Sequence, residues 1–168
     1  MPINKEVLDF LLDKLPSYAV CGVDVGAHTG EVSMALADKG LTVYAIDKVQ
    51  SFEDPRIYMR VGDSVEMAEN FMDRSVDIAF IDAGKKYHEV MADLEAWYPK
   101  VRGLICGYDC EVKYSDKNSD TQELIDEFAD QEGYAYPWLH CGIIKGVHDF
   151  FKGEYGHDKY HQAWWKYL

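Results

Sequence analysis

A chain of 168 residues has room for one domain with a substantial core and little for a second. Hydrophobic content of 48%, with 14% aromatics, describes a packed globule rather than a disordered chain. The net charge of −13 is spread along the sequence, with Lys85-Lys86 the only adjacent basic pair, so a nucleic-acid partner is disfavoured.

The N-terminus, MPINKEVLDFLLDKL, is neither a signal peptide nor a membrane span: its apolar residues Val7, Leu8, Phe10, Leu11, Leu12 and Leu15 have helical spacing and are interleaved with acids. No later run is apolar for the ~18 residues a span needs. YAVCGVDV (18–25) is a continuous apolar run of the sort a strand buried on both faces carries. EVSMALADKG (31–40) reads as a helix ended by Gly40, LTVYAID (41–47) and RIYMRVGD (56–63) as strands, and VEMAENFM (65–72) as a short helix. VDIAFIDA (76–83) is a fourth strand, YHEVMADLEAWYPKV (87–101) a helix, and GLICGYD (103–109) a fifth strand.

After Asp109 the rhythm breaks. EVKYSDKNSD (111–120) reads as a polar loop, TQELIDEFADQEG (121–133) as a helix and YAYPWLH (134–140) as an aromatic segment. We read 111–140 as an insertion or lid. GIIKGVHDFFKG (142–153) is a further helix and QAWWKYL (162–168) a closing strand. The alternation predicts an α/β fold: a doubly wound, mostly parallel sheet flanked by helices, with an antiparallel C-terminal strand, all in one domain over 1–168.

Four cysteines, Cys21, Cys106, Cys110 and Cys141, lack the paired spacing of a zinc ribbon and are too few for a disulfide scaffold. Cys21 and Cys106 fall in apolar runs and read as small hydrophobes. A reducing, cytoplasmic setting is the expectation, with a homodimer allowed.

The chemistry concentrates in VDVGAHTG (23–30). Gly26 and Gly30 let the chain turn tightly between strand and helix and let a ligand approach the backbone. Asp47, at the end of the next strand, follows Gly26 by 21 residues, near the ~20 at which a nucleotide-binding unit places its ribose-holding acid. A dinucleotide site has glycine where this chain has His28, which disfavours a pyrophosphate and weakens a nicotinamide-dependent reading. The bland alternatives are a bare turn for the glycines, a solvated strand end for Asp47, and an N-cap of the helix starting at Val65 for Asp63.

VDVGAHTGEVS, then VYAIDKV, VGDS and VDIAFIDA, in order on successive strands, resemble the class I S-adenosylmethionine-dependent methyltransferases. The resemblance implies that Gly26, Ala27, His28 and Gly30 surround the methionine part of the cofactor and Asp47 takes the ribose hydroxyls. It also sets Asp63 and Ser64 beside the adenine. Asp24 would brace the glycine loop or reach the methionine amine through water. Only 16 residues separate Asp47 from Asp63, so the helix usual between those two strands is expected to be shortened or missing.

FIDAGKKYHEVMADLEAWYPKVRGLICGYD (80–109) is similar to the small-molecule O-methyltransferases of the macrocin and cephalosporin-tailoring kind. In metal-using relatives the acids after the fourth and fifth strands bind a divalent cation. That implies Asp82 and Asp109 as ligands of Mg²⁺ or another divalent ion, with Asp82 also bordering the cofactor. The Asp82-to-Lys85 spacing matches a catechol-type pattern and makes Lys85 a candidate base, provided its pKa is depressed. Asp82, Lys85 and Asp109 are the expected catalytic set, acting on the hydroxyl of a small-molecule acceptor. Three departures stand against the metal: Gly84 and Lys85 where that branch has an acid and a histidine, and Cys110, a poor Mg²⁺ partner, after Asp109. Glu111 is a substitute ligand. The rival reading is a degenerate fold that binds without turnover. The aromatics Tyr108, Tyr114, Tyr134, Tyr136 and Trp138 are candidates for the acceptor pocket. Cys110, His140 and Cys141 form a weaker soft-metal alternative, while His88, His148, His157 and His161 read as surface or packing residues.

Overall fold

A computed structural model describes residues 3–131 and 138–168. Five parallel strands form most of one sheet: β1 (Cys21–Val25), β2 (Thr42–Asp47), β3 (Ile57–Val61), β4 (Val76–Ile81) and β5 (Val101–Gly107). Two C-terminal strands extend it, β6 (Gly156–Asp158) and β7 (Ala163–Tyr167), with β7 antiparallel to β5 and β6 antiparallel to β7. The order is β3-β2-β1-β4-β5-β7-β6, so the chain reverses its direction of winding between β1 and β4. In such sheets a crevice opens at the carboxyl ends of the strands flanking the reversal.

Two-residue alternation splits the apolar runs between two cores. In β4, Ile78 and Phe80 join Leu36, Val43, Leu104 and Cys106 on one face, where α1 (Lys5–Leu12) and α2 (Glu31–Asp38) lie. Ala79 and Ile81 point to the opposite face and pack with Val23, Val25, Leu94, Trp97 and Ile144. That face carries α3 (Ser64–Ala68), α4 (Tyr87–Trp97), α5 (Ser119–Phe128) and α6 (Cys141–Phe151). Burial on both faces explains why these strands read as unbroken hydrophobic runs. Cys106 packs as a small hydrophobe, and all four cysteines are free.

Asp77 is the fully buried acid in the β4 run. One oxygen accepts from the backbone N–H groups of Val20 and Cys21, at 2.9 and 3.0 Å, and the other from Arg102 Nε at 2.6 Å. It thus fastens the start of β1 to β4 and β5. Asp77→Asn keeps an acceptor but loses the charge facing Arg102, and we expect it to lower stability by about 1–2 kcal/mol in urea unfolding.

Several boundaries differ from the sequence reading. The opening helix starts at Lys5, because the Asn4 side chain caps Glu6 N–H. It ends before Leu15 because Lys14 and Leu15 donate to carbonyls only three residues back. The helix expected to reach residue 72 stops at Ala68 for the same reason: the Glu69, Asn70 and Phe71 N–H groups turn to i−3 carbonyls. The polar loop expected over 111–120 contains a single 3₁₀ turn, Tyr114–Asp116, and the first residues of α5. Most of the aromatic segment 134–140 lies outside the described residues. The 48–56 connection between β2 and β3 contains no helix, as the short Asp47–Asp63 spacing required. Phe52 folds back from it until its ring would meet a Cβ on Gly30 at 2.8 Å. Among the described residues no helix is long and apolar enough to cross a membrane.

Candidate active site

A cavity of about 870 Å³ opens at the carboxyl ends of the parallel strands, within the ~300–1,000 Å³ that small-molecule sites occupy. Each strand turn contributes to its wall: Gly26 and His28 after β1, Asp47 and Lys48 at β2, Asp63 and Ser64 after β3, Asp82 to Lys85 after β4, and Tyr108 and Asp109 after β5.

The turn after β1 is built around φ values that favour glycine. Gly26 sits at φ +86°, and a Cβ there would lie 2.6 Å from the Asp82 carbonyl. The bareness at 26 therefore serves the packing of the β1 turn on the β4 turn, rather than only ligand approach. Gly30, also at φ +86°, caps α2 beneath the Phe52 ring and does not line the cavity. Ala27 is buried behind the wall. His28 holds a left-handed backbone, φ 46°, and its N–H donates to Asp47 Oδ2 at 2.8 Å. Asp47 Oδ1 accepts from Val49 N–H at 3.1 Å. The carboxylate is thus pinned at the cavity wall, with each oxygen accepting one backbone hydrogen bond of the roughly two it can take.

Asp24, expected either to brace the glycine loop or to reach the cofactor through water, lies behind the wall. It is 1% exposed, does not reach the cavity, and accepts from the Ser33 hydroxyl of α2 at 2.6 Å. Of the two roles left open for it, this geometry is the brace. Burial pushes its carboxyl up to about 7, with the Ser33 hydrogen bond opposing.

On the β3 side, Asp63 Oδ1 accepts from Val65 and Glu66 N–H and is the N-cap of α3, as the bland reading supposed, while still facing the cavity. The Ser64 hydroxyl donates to Asp93 Oδ1, and Asp93 Oδ2 accepts from Gly84 N–H at 3.1 Å. Asp93 is nearly fully buried, and burial raises its pKa. It clamps the β3 and β4 turns together, a role the sequence reading missed although it quoted the residue within the α4 motif.

The turns after β4 and β5 bring a chain of charges to the cavity. Lys85 Nζ donates to Asp82 Oδ1 and, at 3.0 Å, to Asp109 Oδ2. The Tyr108 hydroxyl bonds to Asp82, and its ring lies 5.3 Å from the Lys85 ammonium. Burial pulls the Lys85 pKa down, but the two carboxylates outweigh it and the group ends above its ordinary value. Lys85 is therefore a firmly held cation and not the base that a depressed pKa would have made it. Asp109, at φ 59°, adopts a left-handed backbone that aspartate tolerates better than most residues.

Next to this group stands His140, 9% exposed, at the start of α6. Its Nδ1 is 2.6 Å from Glu111 Oε1 and its backbone N donates to Glu111 Oε2 at 3.0 Å. Its Nε2 lies 3.5 Å from the Asp109 oxygen that Lys85 also contacts. An ionised carboxylate only accepts, so Nδ1 carries a hydrogen toward Glu111, and in a neutral ring Nε2 would be the basic nitrogen. His140 is the one described residue of 111–140 that lines the cavity.

The residues do not fit a divalent cation. An ammonium already bridges Asp82 and Asp109, and Glu111 is taken up by His140. Cys110 is buried, with Sγ directed at the Val112 carbonyl. Among the described residues no cluster of three or more His, Cys, Asp or Glu is arranged to hold a metal, which also removes the Cys110–His140–Cys141 alternative. Of the aromatics expected in the acceptor pocket, Tyr108 lines the cavity. Tyr114 instead bonds Asp126 and packs on His148, and Trp138 is 78% exposed. Tyr134 and Tyr136 lie outside the described residues. His88 and His161, expected as surface or packing residues, both border the cavity, His161 while stacked on Phe10.

A doubly wound sheet whose winding reverses at β1 and β4, with an acid pinned at the tip of β2, is the nucleotide-binding arrangement of Rossmann-like folds. Residues 19–104 match a family described as a methyltransferase domain, and the chain belongs to that family, the class I S-adenosylmethionine-dependent methyltransferases. Among solved structures it is similar to a Staphylococcus aureus protein described as a candidate caffeoyl-CoA O-methyltransferase (TM-score 0.67, 16% identity, covering 98% of this chain and 83% of the other). A Corynebacterium glutamicum protein aligns at TM-score 0.65 and 10% identity, over 98% and 81%. The 1,6-didemethyltoxoflavin-N1-methyltransferase of Burkholderia thailandensis, solved with S-adenosylhomocysteine, aligns at 0.54 and 17%, over 65% and 52%. At these identities the likeness is one of fold. No curated protein matches the chain by sequence.

Proposed function

We propose that the chain methylates a hydroxyl oxygen of a small-molecule acceptor. The observation that carries this reading is the single cavity wall along which a pinned carboxylate, Asp47, and the Lys85–Asp109–His140 group face the same space. In this reading Asp47 accepts the ribose hydroxyls, and Gly26 and His28 border the methionine part. Gly62, Asp63 and Ser64 border the adenine, and Asp82 reaches both cofactor and acceptor. S-adenosylmethionine, when bound, supplies a methyl group on a sulfonium that leaves by in-line displacement, its carbon–sulfur electron pair staying on sulfur.

The chain's own work is alignment and proton handling. Lys85 has three N–H donors, two of them spent on Asp82 and Asp109, and the third serves the acceptor oxygen. As that oxygen forms its bond to carbon, its proton passes to His140 Nε2. The resulting imidazolium lies between the carboxylates of Glu111 and Asp109. Lys85, protonated throughout, is a donor here and His140 takes the base's role. Support for oxygen as the methylated atom comes from this donor–base pairing and from the resemblance of 80–109 to O-methyltransferases.

Calorimetric titration with S-adenosylhomocysteine tests the reading. Wild type should bind, and Asp47→Ala should bind about 10–100-fold more weakly, the loss of one or two hydrogen bonds to a charged acceptor. No binding by the wild type at high ligand concentration sinks the proposal. Binding without methyl transfer to any of a broad panel of hydroxyl compounds would instead support a fold kept for binding alone.

A further inference from the structure

We propose that the Lys85 ammonium is the resident cation of the acceptor site, standing where metal-using relatives place a divalent ion, so that this chain positions its acceptor hydroxyl without a metal. The proposal rests on the methyl-transfer reading above, but its central measurement does not.

Three features of the structure lead to it. The first is position: Nζ is hydrogen-bonded to one oxygen of Asp82 and lies 3.0 Å from one oxygen of Asp109. A Mg²⁺ ion shared by those carboxylates would sit ~2.0–2.1 Å from the same oxygens. The two cations would compete for the same space, and their charges repel. The second feature is the depletion of further ligands. Glu111 spends both oxygens on His140, and Cys110 Sγ is buried against the Val112 carbonyl. The third is support. Tyr108 holds Asp82 by its hydroxyl and presents its ring to the ammonium, so the position of the lysine is fixed from a third side.

What replaces the metal is a weaker but directional group. A divalent ion would polarise the hydroxyl as a Lewis acid, whereas an ammonium donates one hydrogen bond and leaves proton removal to a separate base. That division of labour matches the geometry, in which Lys85 and His140 approach the same Asp109 oxygen.

The test is Mn²⁺ binding to the full chain, read by electron paramagnetic resonance. Wild type should show no Mn²⁺ whose signal depends on Asp109. Lys85→Ser, which vacates the space between the carboxylates, should bind Mn²⁺ about 100-fold more tightly than wild type, as removing a unit positive charge at this distance requires. The gain should vanish in Lys85→Ser/Asp109→Asn. Lys85→Met, neutral but similar in bulk, keeps the test sound if the serine variant folds poorly, and should also gain Mn²⁺ affinity over wild type. Methyl transfer by wild type should be unchanged by EDTA. Asp109-dependent Mn²⁺ binding in the wild type, no gain in either Lys85 variant, or activity lost to EDTA and restored by Mg²⁺ would each overturn the proposal. Titrating the same samples with S-adenosylhomocysteine keeps the two ideas apart: failure there counts against methyl transfer, while the Mn²⁺ readings still decide the cation.

Discussion

Replacing His140 with alanine should lower kcat by about 10²–10⁴-fold for any hydroxyl acceptor that the wild type turns over, the range for losing a positioned general base. Affinity for S-adenosylhomocysteine should stay within about threefold, because the proposed pose gives His140 the acceptor and leaves the ribose to Asp47. Glu111→Gln should cost less. Glutamine can still accept from the ring Nδ1–H through its carbonyl oxygen, keeping the tautomer, but it loses the acceptor for the His140 backbone N–H and offers no negative charge to the imidazolium. The expected ordering of activity is therefore wild type, Glu111→Gln, His140→Ala. Melting curves show whether the alanine variant retains its fold. A His140→Ala enzyme that folds, binds and turns over within a factor of about ten of wild type would remove the base from the mechanism.

The second large effect is on stability against pH, and it comes from Asp24. Burial raises the folded-state carboxyl to about 7, against ~3.9 for an unperturbed aspartate. Between those values the folded chain holds a proton that the unfolded chain has released, so raising the pH drains stability. The slope is about 1.4 kcal/mol per pH unit for this one group, or about 4 kcal/mol across the window. The contribution is complete below pH ~4 and gone above pH ~7. Asp24→Asn preserves the acceptor for Ser33 and carries no charge at any pH. It should match the wild type near pH 4 and exceed it in unfolding free energy at pH 8. Asp82 and Asp93, both raised by burial, add to the wild-type slope in the same direction. Asp77 works in the other window: hydrogen bonds from Arg102, Val20 and Cys21 outweigh its burial, so its contribution is lost as pH falls below the ordinary aspartate value. Urea titrations at pH 5 and 8 check the sign. Parallel slopes for wild type and Asp24→Asn would refute the account.

The parts of this molecule that were legible in the sequence are those with local causes. β1, β2, β4 and β5 announce themselves because burial on both faces demands unbroken apolar runs, and the missing helix before β3 follows from counting residues between two acids. The Asp47 position was readable for the same reason. Strand β6 was not, because Gly156–Asp158 is short, polar and defined only by its pairing with β7. The acceptor side was half legible. Asp82, Lys85 and Asp109 stood in recognisable motifs, but the lysine's role depends on which oxygens it reaches. His140 and Glu111 meet across 29 residues of sequence, as do Ser64 and Asp93. Only a signal tying such distant positions together would have found either pair.

The bare 48–56 connection carries a consequence for cofactor exchange. It leaves β3 as an exposed edge strand, with Tyr58 and Val61 each 53% open to water. In the binding pose proposed here, the purine rests against a ledge instead of inside a sleeve. Bulky extensions on its amino group would then project into solvent, and the spent nucleoside could depart sideways without any part of the sheet having to breathe.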